Sequence, residues 1–100
     1  MPIRWTWDPA KERANRAKHR VGFAQAARVL DDPMQITRLD RFASEERWQT
    51  IGKPDSNFPV YLVVVHTQPV QRPDGSEVGR IISARRAVRR ERRRYEEGEY

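Results

Sequence analysis

The sequence predicts an α+β domain over residues 1–100, an antiparallel sheet packed with an N-terminal helical pair and a C-terminal helix. Three observations carry that reading. Apolar residues recur at helical spacing early in the chain, the middle is a series of short apolar runs separated by turn residues, and the end is an arginine-dense stretch with helical periodicity. A chain of 100 residues has material for one hydrophobic core and no second.

Trp5, Thr6 and Trp7, following Ile3, give a short first strand. Asp8 and Pro9 then open a helix as its N-cap and first helical residue. It runs to about His19, where Lys18, His19 and Arg20 put positive charge at the negative end of the backbone dipole, and Gly22 is the expected terminator. Phe23, Ala26, Ala27 and Leu30 repeat at helical spacing and predict a second short helix ending near Asp31, Asp32 and Pro33.

From Met34 the character is β, with strands predicted over residues 34–39, 47–51 and 58–67, the last carrying the solidly apolar run of a central strand. Residues 40–46 and 52–57 read as loops. Pro73, Asp74, Gly75 and Ser76 mark the tip of a long hairpin returning through residues 78–83, which completes a four-stranded meander. A final helix is expected over residues 87–97, with Val88, Arg92 and Tyr95 on one face and Gly98 ending it.

Composition narrows the function. No run approaches the ~18 apolar residues of a membrane span, and the residues after Met1 lack the apolar core of a secretion signal, so a cytoplasmic protein is expected. The absence of cysteine excludes disulfides, thiol catalysis and cysteine-ligated zinc. His19 and His66 are too few for a metal site without carboxylates, and neither metal nor cofactor is expected. The net charge of +6 is concentrated: Arg80, Arg85, Arg86, Arg89, Arg90, Arg92, Arg93 and Arg94 face a single nearby acid, Glu91. Such a cluster attracts phosphate polymers or acidic proteins, and the use of arginine over lysine favours forked phosphate contacts.

Four polar words could do chemistry. On the first helix Lys11, Asn15, Lys18 and His19 lie on or beside one stripe along which a substrate could run. Lysine and histidine at a helix end are also ordinary dipole partners, and Asn15 could bond a neighbouring loop. Arg80 and Arg85 bracket Ile81, Ile82, Ser83 and Ala84 in a strand, where an arginine needs a carboxylate or an anion, and Glu46 beside Arg47 is an available partner. Tyr95 could donate a phenolic proton, stack on a base or pack its helix onto the sheet. His66 reads as a satisfied strand histidine.

Together these words resemble the BrnT family of bacterial toxins, small ribonucleases of type II toxin–antitoxin pairs. The resemblance begins at Trp7 and Asp8, passes through Lys11, Asn15, Lys18, His19, Phe23, Glu46, Arg47 and Gly52, and is strongest from Arg80 to Arg85 with Ala87, Glu91, Arg92 and Tyr95. The family usually places a glycine after its Lys-His pair, where this chain has Arg20, and the hairpin tip over residues 68–77 looks longer than typical.

The resemblance implies a RelE-like fold and a toxin that cleaves RNA and halts translation. It also implies a hetero-oligomer with a cognate antitoxin whose ribbon-helix-helix portion binds operator DNA. Metal-free cleavage by the ribose 2′-hydroxyl would need a base (His19 or Glu46), arginines on the phosphorane (Arg80 and Arg85, with Arg47 supporting) and a group at the leaving oxygen (Lys18 or Tyr95). Lys11, Asn15, Arg86, Arg89 and Arg90 would bind RNA. All of this expects the late-strand arginines and the first helix to share one cleft. The alternative is a basic module that binds nucleic acid or a protein partner and breaks no bond.

Overall fold

The computed structural model describes residues 3–40, 46–57 and 59–100. Its order is β1 (Ile3–Thr6), α1 (Pro9–His19), α2 (Phe23–Val29), β2 (Ile36–Leu39), β3 (Trp48–Gly52), β4 (Leu62–His66), β5 (Val70–Gln71), β6 (Glu77–Arg86) and α3 (Arg89–Glu97). The expected strand onset at Phe58 and the loop residues 41–45 lie outside the described residues. The six strands form one sheet in the order β1-β6-β4-β3-β2, with β5 pairing the first residues of β6.

Three features depart from the sequence reading. First, the sheet is not wholly antiparallel: β1 runs parallel to β6, Thr6 opposite Arg80. The ring of Trp5 lies on Gly79, where an added Cβ would stand 2.3 Å from the indole, so glycine is the side chain this pairing admits. Second, β6 extends three residues beyond the expected Ser83, because β4 pairs with it as far as Arg86. Third, α1 ends on Arg20 rather than Gly22. Arg20 adopts the left-handed conformation with φ 62°, at the place where the family usually has glycine, and Gly22 instead caps the start of α2.

The core is built where the helical pair meets the sheet. Phe23, Ala26 and Val29 of α2 join Val21, Leu62, Val64, Ile81 and Ala84, with Trp5 and Trp7 packed at the margin. Along a strand alternate side chains face opposite ways. Tyr61, Val63 and Arg85 therefore lie on the other face, and α3 covers it: Tyr61 meets Tyr95 edge-on at 5.3 Å, and Arg85 reaches Glu91.

His66, opposite Trp48, is buried on the core face, as expected of a structural histidine. Its Nε2 is 2.7 Å from the Thr50 hydroxyl, which is itself 2.8 Å from that of Thr37, and its Nδ1 is 2.9 Å from the Thr67 carbonyl. That carbonyl accepts only from Nδ1–H, so in the neutral ring that burial favours Thr50 donates to Nε2. Burial lowers the pKa of His66, partly opposed by the Thr67 carbonyl.

Candidate functional site

The first helix delivers one polar side chain into the sheet. Asn15 is buried, and its amide donates to the carbonyls of Val21 (3.1 Å) and Ala84 (2.8 Å) while accepting from the Ala84 N–H (3.1 Å). One carboxamide thus satisfies both backbone groups of Ala84 on the β6 edge that β1 leaves bare beyond Arg80. Both of its donors are consumed, so Asn15 is a structural clamp and offers nothing to RNA. The bond to Val21 is local, whereas those to Ala84 reach a strand 69 residues away.

Around that clamp Lys11 and Lys18 are exposed and His19, the last residue of α1, is half-buried. Glu46 is exposed and Arg47 half-buried just before β3, where the Asp40 N–H donates to the Arg47 carbonyl. Arg80 is exposed in β6, its backbone bonded both ways to Thr67.

The ion pair expected with Glu46 is instead local for Arg85. Its Nη1 and Nη2 donate to the two Glu91 oxygens, each at 2.8 Å, and Nη1 also reaches the Arg86 carbonyl at 3.3 Å. Glu91 is the third residue of α3, close enough to accept from the Val88 N–H as well (2.8 Å), which is one half of a capping box. The bond to Glu91 raises the pKa of Arg85, against burial. Burial pushes that of Glu91 up, but the Arg85 fork and the Val88 N–H outweigh it and leave the carboxyl below its ordinary value. The Arg85 side chain remains 41% exposed, and its Nε–H and second Nη2 hydrogen make no hydrogen bond to a described residue.

Tyr95 is anchored elsewhere. Its hydroxyl donates to Asp32 Oδ2 at 2.8 Å, an oxygen that also accepts from the Lys53 N–H, and Asp32 Oδ1 takes the Met34 N–H. Burial first, then the Asp32 carboxylate, push the Tyr95 pKa up to about 12, so at neutral pH it serves packing rather than proton transfer. Asp32, which the sequence reading treated only as a helix stop, ties α2, β3 and α3 together.

The same sheet face carries a group the sequence reading missed. Arg38 Nε donates to Gln49 Oε1 (3.3 Å) across the β2–β3 pair, the Tyr100 hydroxyl donates to the same oxygen (2.9 Å), and the Arg38 guanidinium lies 4.1 Å from the Tyr100 ring centre. Only the alternation of β3, which turns Gln49 to the side of Ile51, could have signalled it. Arg86 alternates to the opposite face from Arg85, and Arg89 and Arg90 are exposed at the start of α3.

Among the open depressions, three are lined by described residues as follows. One is lined by Asp31, Asp32, Lys53 and Asp55, another by Tyr61, Arg89, Arg92 and Arg93, and the third by Arg4, Arg72 and Asp74. None of the three contains a residue of α1, so none is the cleft expected between the helix edge and Arg80 or Arg85.

These features define a small basic α+β protein whose sheet presents a held arginine fork, the chemistry of phosphate recognition. The chain belongs to the BrnT family: residues 7–91 match the ribonuclease toxin, BrnT, of type II toxin–antitoxin systems. Its structure is similar to the crystal structure of the Brucella abortus ribonuclease toxin BrnT, with a TM-score of 0.57 and 27% identity over 88% of this chain and 100% of that one. No curated protein sequence matches it. As a family member it is a ribonuclease toxin, and an antitoxin is its implied partner.

Proposed function

We propose that this chain cleaves RNA without a metal, through attack of a ribose 2′-hydroxyl on the adjacent phosphate, and so inhibits translation in the cytoplasm until a ribbon-helix-helix antitoxin neutralises it. A RelE-like ancestry for the fold belongs to the same reading. The observation that carries it is Arg85: Glu91 holds the guanidinium through Nη1 and Nη2 and leaves Nε–H and the second Nη2 hydrogen, a bidentate phosphate ligand, on a partly exposed side chain.

In this mechanism Arg85 takes the charge that develops on the phosphorane, with Arg80 and Arg47 supporting. For His19 or Glu46 to remove the 2′ proton and Lys18 to stabilise the departing 5′ oxygen, leaving a 2′,3′-cyclic phosphate and a free 5′-hydroxyl, the RNA must pass round the β6 edge where Asn15 docks, because the helical pair and Arg85 lie on opposite faces of the sheet. Lys11, Arg86, Arg89 and Arg90 hold the strand by its phosphates. Tyr95 and Asn15 have no part, since their polar atoms are committed to the fold.

The test is incubation of purified protein with RNA in excess chelator. Cleavage that survives the chelator, ends in a cyclic phosphate and is lost in Arg85→Lys, which keeps the charge but not the fork, supports the mechanism. Intact RNA with salt-sensitive binding would instead establish a non-catalytic module. Rescue of growth arrest by a co-expressed ribbon-helix-helix protein tests the antitoxin.

A further inference from the structure

We propose that Arg38 and Gln49 form a nucleobase subsite, and that the Tyr100 ring occupies it in the free protein as an internal stand-in for a base. This deepens the reading of Arg85 as the phosphate ligand and rests on it.

Three observations converge. The Arg38 guanidinium lies over the Tyr100 ring at 4.1 Å, the arrangement in which arginine planes stack on unpaired RNA bases. The ring's polar edge is read by the Gln49 carboxamide, whose Oε1 accepts from both Tyr100 and Arg38. A carboxamide that can offer an acceptor and a donor side by side suits the edge of a base better than that of a phenol, which uses only the acceptor. Finally, the patch shares a sheet face with Arg85. Gln49 pairs with Val65 and Arg85 with Val63, so sheet spacings put Gln49 and Arg85 roughly 12 Å apart at Cα, within reach of one nucleotide held by two long side chains.

Tyr100 reaches the patch because Gly98, with φ 77°, reverses the chain at the end of α3. The Gly98 and Glu99 N–H groups cap the carbonyls of Tyr95 and Arg94, and the following residues fold back over β3. The ring is held here by the Tyr100 bond to Gln49 and the Arg38 stack, so it can leave without breaking a backbone bond of the sheet.

The experiment measures binding of a short 2′-O-methyl oligoribonucleotide, which has no free 2′-hydroxyl to attack, by fluorescence anisotropy. Wild type, Tyr100→Ala, Tyr100→Phe and Arg38→Ala/Tyr100→Ala are compared, with circular dichroism confirming that each is folded. A competitor that occupies most of the site lowers apparent affinity by the fraction it excludes, so Tyr100→Ala should tighten binding between about threefold and tenfold. The gain should vanish in the double variant, and Tyr100→Phe, which keeps the ring, should stay near wild type. Unchanged or weaker binding by Tyr100→Ala, or a gain that survives loss of Arg38, overturns the subsite while leaving the nuclease reading intact. If no variant binds the oligonucleotide and RNA is not cleaved, both fall together.

Discussion

Replacing Asn15 separates a structural clamp from a substrate ligand. Asn15→Ala removes three buried hydrogen bonds and leaves the Ala84 N–H and the carbonyls of Ala84 and Val21 without those partners. At about 1 kcal/mol net per bond, plus about 1 kcal/mol or more for a buried donor left unmade, the loss comes to about 3–5 kcal/mol. A domain of this size has on the order of 5–15 kcal/mol of total stability, so about a fifth or more of it would go. The melting temperature should fall by roughly 12 °C or more, at ~4 °C or more per kcal/mol for a chain of this length. Asn15→Asp should be at least as damaging, since it sets an acceptor-only group against two carbonyls. Urea titration followed by tryptophan fluorescence measures both variants. A loss below ~1 kcal/mol, combined with abolished RNA cleavage, would show that the amide works on substrate and that this accounting is wrong.

Other outcomes follow from the same geometry. Arg20→Gly should raise stability by about 0.5–1 kcal/mol, the left-handed strain relieved less the added freedom of the unfolded chain, read as a higher urea midpoint. Tyr95→Phe should cost about 1–2 kcal/mol by deleting its bond to Asp32, yet leave the cleavage rate per folded molecule unchanged. His66 has a lowered pKa in the fold, so the unfolded chain binds its proton first as pH falls. Stability should therefore be level above pH ~6.5 and decline below it, by at most about 1.4 kcal/mol per pH unit, until the folded-state pKa is passed; a flat profile between pH ~6.5 and ~5 would contradict the neutral, buried ring.

Local chemistry was legible in the sequence and long-range partnership was not. Asp8 and Pro9 announced α1 correctly, and the Asp8 carboxylate does accept from the Ala10 N–H at 2.9 Å, because capping is decided within a few residues. The apolar run before His66 announced a central strand for the same reason. The parallel pairing of β1 with β6 left no local trace, since alternation tells which way a side chain faces but not which strand lies beside it. Glu46 was the carboxylate the sequence offered Arg85, but the turn after β6 brings Glu91, the third residue of α3, within 2.8 Å instead. Arg38, Gln49 and Tyr100 are ordinary surface residues in isolation, and only a chain reversal at Gly98 assembles them.

The fastening of both early elements to β6 sets an order of events during synthesis. Ile3 waits for Glu77 and Asn15 for Ala84, so most of the chain must have left the ribosome before either can dock, and closing such distant contacts is slow. The emerging polypeptide therefore passes through translation with its arginine strand unassembled.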